Sequence, residues 1–302
     1  MAVANNELEK VIIQSVLEEL AKKGLLPSKG KDHVMSSAMQ DTPLYSNTSS
    51  EEMVTFPPLD EMQISKPFNA DAVKAMKKST PARIGIGRAG ARPKTMSWLR
   101  FLADHAVAQD AVFLDVSDEF LKQNNLMTVQ SAVTSKDEFL TRPDLGRRLS
   151  EEAVKTITEK CEKNVQVQIL VVDGLSSTAI EANIPDLLPA LMQGLKSAGI
   201  KVGAPFFVKY GRVWVQDPIA NLVKADVIVS LIGERPGLGT AESLSAYMIY
   251  QPNEKTVEAD RTVVSNIHKG GIPPAEAGAH LSDVVQQILT AKASGVKFNQ
   301  QK

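Results

Sequence analysis

The first 24 residues place apolar side chains along one face of a predicted helix. These positions recur every four residues or lie directly beside those that do: Leu8, Ile12, Ile13, Val16, Leu17 and Leu20. Gly24 and Pro27 then end the pattern. Because an amphipathic helix cannot bury its apolar stripe alone, we expect residues 1–24 to dock on another protein. Packing against the rest of this chain is the alternative.

The next 140 residues or so divide into a linker and a helical region. Residues 25–59 are rich in Ser, Thr, Met and Pro without a sustained period, which predicts a flexible linker. Residues 60–164 are mainly helical by their apolar spacing, and no run in them is convincing as a strand. The helical segments are NADAVKAMKKS (69–79), RPKTMSWLRFLADHAVAQ (92–109) and, after an N-cap at Ser150, SEEAVKTITEKCEK (150–163).

Residues 165–302 change to short apolar runs that alternate with helical stretches. The predicted strands lie in VQVQILVVDG (165–174), KVGAPFFVKYGRVWV (201–215), DVIVSLIG (226–233) and RTVVSNI (261–267). The predicted helices are IPDLLPALMQGLKSAG (184–199), DPIANLVKA (217–225), TAESLSAYMIY (240–250) and PPAEAGAHLSDVVQQILTAKAS (273–294). This alternation predicts an α/β fold, in which a helical N-terminal part precedes a Rossmann-like, doubly wound parallel sheet.

Ligands of doubly wound sheets bind at the carboxyl ends of the strands. Four predicted loops leave those ends, at residues 173–178, 209–214, 233–239 and 265–271. In the third loop, GERPGLG, the acidic Glu234 has the wrong charge for a phosphate site. A carboxylate accepts hydrogen bonds, so this loop favours a ligand rich in amide or hydroxyl donors. The alternative is a turn in which Glu234 pairs with Arg235 or another surface base.

A glycine-rich stretch earlier in the chain invites a nucleotide interpretation. Gly85, Gly87 and Gly90 form a G-x-G-x-x-G. A dinucleotide-binding fingerprint follows a buried strand and opens a helix, but only three residues separate Pro81 from Gly85, and the next helix is entered at Pro93. The motif therefore favours a basic loop that contacts a partner, with solvated surface as the alternative. The basic residues are Arg83, Arg88, Arg92 and Lys94, with Arg142, Arg147 and Arg148 further along.

The composition of the chain bears on its number of domains, its partners and its metal content. The 302 residues suit two domains better than one, and 34 Lys plus Arg against 35 Asp plus Glu favour neither a nucleic-acid nor a membrane partner. No apolar run is long enough to span a membrane. Cys161, the single cysteine, fits the cytoplasm and continues an apolar helical face, which favours a core position. The four histidines show no metal-ligand spacing, and we expect no metal site.

Several strings, in this order, resemble the small (light) subunit of ethanolamine ammonia-lyase over roughly residues 79–295. They are GRAGARP, LRFLADHA, LTRPDLGRRL, DGLS, PFFVKYGRV, GERPGLG, AESLS and VEADRTVVSNIHKGG. The resemblance implies one of two subunit types of an adenosylcobalamin-dependent lyase that converts ethanolamine to acetaldehyde and ammonia. The large subunit, a TIM barrel, would hold the substrate and the groups that act on it, so no catalytic residue is expected in this chain. Residues 60–164 would then be the subunit-contact region and 165–302 the cobalamin-binding domain.

The resemblance also implies contacts with the coenzyme. By position they fall on Val213, Glu234 and Val263. Relatives often have a cysteine at the position of Val263, so an apolar or backbone contact is expected there. The sequence has no D-x-H-x-x-G, the motif of cobalamin proteins that replace the lower base with histidine, and this predicts a base-on coenzyme.

The resemblance further implies a location. Enzymes of ethanolamine breakdown are often enclosed in bacterial microcompartments, and short amphipathic helices recruit such cargo. We therefore expect residues 1–24 to bind the shell or other cargo inside the cytoplasm. Two other functions compete with the lyase subunit: a stand-alone nucleotide-binding oxidoreductase, suggested by the glycine motif and the sheet, and a non-catalytic scaffold that recruits a partner.

Overall fold

The structure is a computed structural model, and it describes residues 55–300. The predicted helix at 1–24 and all but the last residues of the predicted linker at 25–59 lie outside the described residues.

Helices make up much of the described chain. They are α1 (Ala70–Ser79), α2 (Thr95–Phe113), α3 (Asp118–Gln123), α4 (Lys136–Thr141), α5 (Glu151–Lys160), α6 (Ser177–Ser197), α7 (Gln216–Val223), α8 (Pro274–Ala291) and α9 (Gly295–Asn299). Short 3-10 turns lie at Leu145–Arg147, Val213–Val215 and Glu258–Asp260. The side chain of Ser150 accepts a hydrogen bond from the amide of Ala153, so the N-cap predicted for α5 is confirmed.

The strands form a two-stranded hairpin and one large sheet. The hairpin pairs β1 (Arg88–Ala89) with β2 (Arg92–Pro93). The six-stranded sheet consists of β3 (Met127–Gln130), β4 (Val167–Val172), β5 (Phe206–Lys209), β6 (Val227–Gly233), β7 (Leu244–Tyr250) and β8 (Thr262–Ile267). Their order across the sheet is β3-β5-β4-β6-β7-β8.

Most neighbouring strands of this sheet are parallel. β3, β5, β4 and β6 all run in the same direction, whereas β7 is antiparallel to both β6 and β8. The chain passes from β4 to β5 on one side of β4 and then crosses to β6 on its other side. The crevice between β4 and β6 is therefore a topological switch point, where α/β sheets usually bind ligands.

Helices cover both faces of the sheet. β4 and β6 are buried along their whole length, and alternate residues of each strand contact opposite layers. One layer contains α6 and α8, whose Leu187, Leu191 and Leu281 are fully buried. The other layer contains α5 and α7, which contribute Ile157 and Ile219. Burial on both faces explains why these strands are continuous apolar runs in the sequence.

Two predictions about the sheet are wrong. The segment 240–250, predicted as a helix with an N-cap at Thr240, contains β7 instead, so the sheet is not wholly parallel. The region 60–164, predicted to lack a strand, supplies β3, which pairs with β5 at the edge of the sheet. The other predicted helices of 60–302 are present, and no helix among residues 55–300 is long and apolar enough to cross a membrane.

Candidate functional site

The four predicted ligand-end loops lie along one edge of the sheet. β4, β5 and β6 are parallel, so the loops that follow them leave at the same edge. β8 also ends there, because two successive antiparallel pairings give it the direction of β6. This part of the sequence prediction is confirmed.

Two glycines allow the chain segments of the crevice to approach each other closely. Gly174 adopts φ +56°, a left-handed conformation that L residues rarely take. A Cβ at Gly174 would overlap the carbonyl oxygen of Gly233, and a Cβ at Gly233 would overlap that of Ser176. The amide of Leu175 donates to the Gly233 carbonyl at 3.0 Å, so the loops after β4 and β6 are joined directly.

A cleft of about 410 Å³ opens beside this junction. Its lining residues are Gly174, Leu175, Arg212, Val213, Ile232, Gly233, Glu234, Arg235, Ser245, Tyr247 and Ser265. They come from the end of β6, from the loops after β4, β5 and β6, and from one face of β7 and β8. The cleft thus combines a carboxylate, hydroxyl groups and two guanidinium groups with aliphatic surface.

The Glu234 carboxylate receives three hydrogen bonds from its own chain. Ser243 donates to Oε2 at 2.8 Å, and the hydroxyl of Ser245 and the amide of Asn266, at 3.1 Å, donate to Oε1. The amide of Glu234 donates to the carbonyl of Ser243 at 3.0 Å. Glu234 therefore ties the end of β6 to β7 and β8, and it does not pair with Arg235 as one alternative proposed.

These contacts determine the charge of Glu234. Burial raises the pKa of the carboxyl, but the hydrogen bonds from Ser245, Ser243 and Asn266 outweigh burial and hold the pKa below its ordinary value. The group is ionised at neutral pH. A carboxylate has about four acceptor positions, so one position remains for a ligand donor after the three internal bonds.

Val213 and Arg212 line the same cleft as Glu234. Val213 is half-buried and packs against the core layer that contains α7. The Arg212 guanidinium stacks over the ring of Phe139 at 4.1 Å and donates to the Phe139 carbonyl at 2.8 Å. Within residues 55–300, its Nε is buried without a hydrogen-bond partner. Burial lowers the pKa of Arg212, and Asp173 opposes this shift.

Val263 lies beside the cleft and is not part of its lining. It is 42% exposed and stands opposite Tyr247 in the β7–β8 pairing. Side chains alternate across a strand, so Val263 shares its face with Ser265. The structure thus brings Val213 and Glu234 into one cleft and puts Val263 at its margin.

A buried arginine connects the two sides of the site. Arg261 is 6% exposed and donates to Gln216 at 3.2 Å and to Asp217 at 2.7 Å. Its guanidinium also lies over the ring of Trp214, 4.5 Å from the centroid. Arg261 comes directly before β8, and Trp214 follows Val213. One side chain therefore fixes the position of β8 relative to the 209–214 loop.

The basic residues of the glycine-rich stretch are partly engaged by the chain itself. Arg83 pairs with Asp104 at 2.5 Å and donates to the Leu238 carbonyl at 3.1 Å. Arg88 donates to the Ala91 carbonyl within the β1–β2 hairpin, at 3.1 Å. Gly85 and Gly87 precede this exposed hairpin and Gly90 lies in its turn, so the motif does not follow a buried strand as a dinucleotide-binding fingerprint does.

Sequence reasoning missed several polar residues in or beside the cleft, among them Asp173, Arg212, Ser245 and Tyr247. Ser245 and Tyr247 were assigned to a helix, although the alternation of Leu244, Ala246 and Met248 with polar neighbours is a period-two signal. Asp173 and Arg212 lie in loops that were predicted, but no local pattern distinguishes them.

Cys161 and the histidine of the 265–271 loop both contact residues of their own part of the chain. Among residues 55–300, no group of three or more His, Cys, Asp or Glu is placed to hold a metal ion. Cys161 packs against the core, and burial raises the pKa of its thiol. His268 bonds to Asn266 and Gly270 in its own loop.

Comparison with known proteins identifies the family. A family model described as the ethanolamine ammonia-lyase light chain matches residues 70–299. This chain belongs to the ethanolamine ammonia-lyase light-chain family. Proteins named ethanolamine ammonia-lyase small subunit are 53% identical in Clostridium perfringens, over 83% of this chain and 86% of the relative. The Fusobacterium nucleatum protein is 50% identical over 96% of this chain and 98% of the relative. The Clostridium tetani protein is 48% identical over 97% of this chain and 98% of the relative.

Light-chain family membership agrees with the resemblance inferred from the sequence strings. Nothing in the comparisons favours a nucleotide-binding oxidoreductase. The candidate site of this light-chain family member is the cleft at the switch point, where Glu234 and Val213 lie together.

The depressed pKa of Glu234 predicts a pH-dependent contribution to stability. An acid whose folded pKa is lowered stabilises the fold above its ordinary pKa of 4.5, and that stability is lost as the pH falls through the folded value. We expect the free energy of unfolding of Glu234→Gln to be below that of the wild type at pH 7, and the difference to shrink below pH 4.5. Denaturant titrations across this range measure it.

The control is the exposed acid Glu242→Gln on the same loop, which should show no such convergence. A Glu234→Gln difference that is constant with pH would mean that the three hydrogen bonds do not depend on the charge of Glu234.

Proposed function

We propose that this chain is the coenzyme-binding small subunit of an ethanolamine ammonia-lyase and is active only with its large subunit. The complex deaminates ethanolamine to acetaldehyde and ammonia. When bound, base-on adenosylcobalamin supplies radical chemistry for this reaction. The observation that carries the proposal is the cleft at the switch point of a chain that belongs to this family. Residues 165–302 act as a Rossmann-like cobalamin-binding domain.

The polar groups of the cleft fit the edge of a corrinoid. That edge bears carboxamides, whose N–H groups need acceptors and whose carbonyls need donors. Glu234 offers its remaining acceptor position, and the hydroxyls of Ser245 and Ser265 lie beside it. The guanidinium groups of Arg212 and Arg235 are donors on the same cleft. The donor and acceptor sets are therefore complementary.

The apolar groups of the cleft fit the face of the ring. Val213 lines the cleft and Val263 is exposed at its margin, so each can pack against an apolar ligand surface. Neither side chain can act on a substrate chemically. We assign no catalytic residue and no metal ligand to this chain.

The size of the cleft requires a second wall. Pockets of about 300–1,000 Å³ enclose ligands of drug size, and this cleft of about 410 Å³ is smaller than a whole cobalamin needs. The large subunit, a TIM barrel, provides the other wall and the substrate site. Closure between the two subunits excludes water from the reacting groups.

The contact with the large subunit is assigned to residues 60–164. Within residues 55–300, Ala111 is the only residue of α2 that is buried. The same helix exposes Trp98, Leu99, Leu102 and Val107. Exposed apolar side chains at this density on one helix are typical of an interaction surface. Arg88 and Arg92, exposed on the β1–β2 hairpin, add positive charge next to it.

Residues 1–24 are assigned to recruitment into a bacterial microcompartment in the cytoplasm, through the shell or other cargo. The support is the apolar stripe in their sequence, which suits binding of a helix in a groove. Acetaldehyde is volatile and reactive, so confinement has a chemical purpose. No nucleic acid or membrane partner is proposed.

The coenzyme assignment predicts that Glu234→Gln weakens binding of adenosylcobalamin to the two-subunit complex. Loss of a charged acceptor opposite a buried donor costs about 1.5–3 kcal/mol, which raises Kd at least about tenfold. Titration followed by the corrin absorption band measures this, with Glu242→Gln as the control. An unchanged Kd would remove Glu234 from the site. A wild-type complex that assembles without retaining any corrin would favour the alternative function of a non-catalytic scaffold that recruits a partner.

The contact assignment predicts that Leu99→Glu combined with Leu102→Glu prevents assembly with the large subunit, because two charges would have to be buried without partners. Co-purification and sedimentation measure assembly. Val296→Glu is the matched control, since Val296 is also apolar and 51% exposed but lies on α9. Equal assembly of both variants would place the interface elsewhere.

The targeting assignment predicts that deletion of residues 1–24 leaves the lyase activity of the complex intact. A fluorescent fusion of the deleted chain should no longer co-localise with compartments. Loss of activity with unchanged localisation would show instead that these residues belong to the core fold.

A further inference from the structure

A buried acid directly before Gly174 holds the loop that carries two of the cleft's lining residues. Asp173 follows the last residue of β4 and is 2% exposed. One carboxylate oxygen accepts from the amide of Tyr210 at 2.7 Å, and the other accepts from the amide of Gly211 at 3.1 Å. The next residues along the chain, Arg212 and Val213, line the cleft.

The backbone is bent to bring both amides to this carboxylate. Tyr210 adopts φ +56°, in the left-handed region, which costs a non-glycine residue energy. At Gly211 a Cβ would lie 2.5 Å from a methyl group of Val172, so the loop rests directly on the core. A strained bend persists only where its surroundings hold it.

We propose that Asp173 is a positioning residue of the coenzyme cleft: it fixes the Tyr210–Gly211 backbone and thereby the places of Arg212 and Val213. This inference rests on the proposed coenzyme-binding function. The other backbone contacts of the bend are with neutral groups, since Ser131 donates to the Tyr210 carbonyl at 2.8 Å and the amide of Arg212 donates to the Gly146 carbonyl at 2.8 Å. The Tyr210 side chain contacts charged groups: its hydroxyl donates to Asp115 at 3.4 Å, and Lys136 and Lys209 lie over its ring.

Stability does not explain why an ionised acid occupies this position. Burial raises the pKa of Asp173 to about 6, although the amides of Tyr210, Gly211 and Gly174 and the charge of Lys136 oppose the shift. An acid with a raised folded pKa stabilises the fold when protonated, and this contribution is lost as the pH rises through about 6. At neutral pH the ionised carboxylate therefore disfavours folding. The charged side chains that face it are Lys136 and Arg212.

The Asp173→Asn variant distinguishes a role in positioning the loop from a role in the stability of the fold. A carboxylate accepts both amides, whereas a carboxamide has one acceptor oxygen and opposes the second amide with its own N–H groups. In the complex with the large subunit at pH 7.5, we expect the Kd for adenosylcobalamin to rise about tenfold. The Tm should stay close to that of the wild type, because loss of the buried charge offsets the lost hydrogen bond.

A second measurement needs no coenzyme. The chain has two tryptophans, Trp98 and Trp214, and Trp214 follows Val213 directly. In a Trp98→Phe background, the emission of Trp214 in Asp173→Asn should shift relative to the same background with Asp173 intact. The control is Gln168→Leu, on the same strand, which removes buried hydrogen bonds to the carbonyls of Ile169 and Ala204. It should lower Tm and leave Kd and the Trp214 emission unchanged.

An unchanged Kd together with unchanged Trp214 emission overturns the proposal. So does a rise of Kd that accompanies a fall of Tm in Asp173→Asn, because that is the behaviour of a residue needed only for the fold. If Asp173→Asn does not fold, Asp173→Ser takes its place, and failure of both variants to fold also overturns it. A wild-type complex that binds no coenzyme contradicts the proposed function instead, while the Trp214 emission still reports whether Asp173 holds the loop.

Discussion

Burial of β4 and β6 on both faces is the constraint from which the site follows. Neither strand has a residue exposed to solvent, so both must lie side by side between two helical layers. The chain leaves β4 for β5 on one side and later crosses to β6 on the other, so the carboxyl ends of β4 and β6 border the switch point where α/β sheets usually bind ligands. The loops of 173–178 and 233–239 border that crevice, and small residues at Gly174 and Gly233 let them meet.

The network around Glu234 extends this constraint to the antiparallel part of the sheet. Its carboxylate accepts hydrogen bonds from Ser243, which directly precedes β7, from Ser245 in β7 and from Asn266 in β8. A group that is bonded in this way is held in one geometry before a ligand arrives. Glu234 therefore serves the fold and the cleft together, and its chemistry in the cleft depends on the one acceptor position that its own chain leaves.

Much of this arrangement could be predicted from the sequence, because a long and regular pattern of apolar residues identifies an element whatever it packs against. The apolar runs of β4 and β6 and the helix of 273–294 are long and have a clear period. The segment of β7 was mistaken for a helix since Ala, Glu, Leu and Met favour helices, and pairing with β6 overrode that preference. β3 was missed because four residues at a sheet edge give little signal. Asp173 depends on contacts 37 and 38 residues away, which no local pattern contains.

The guanidinium of Arg83 gives the molecule a further property. One side chain bonds both to Asp104, on the helix with the apolar exposed surface, and to the carbonyl of Leu238, in the loop that begins at Glu234. A displacement of that helix and a rearrangement of that loop are therefore not independent events. If a ligand in the cleft changes the affinity of α2 for a partner, that partner must change the affinity of the cleft for the ligand by the same factor.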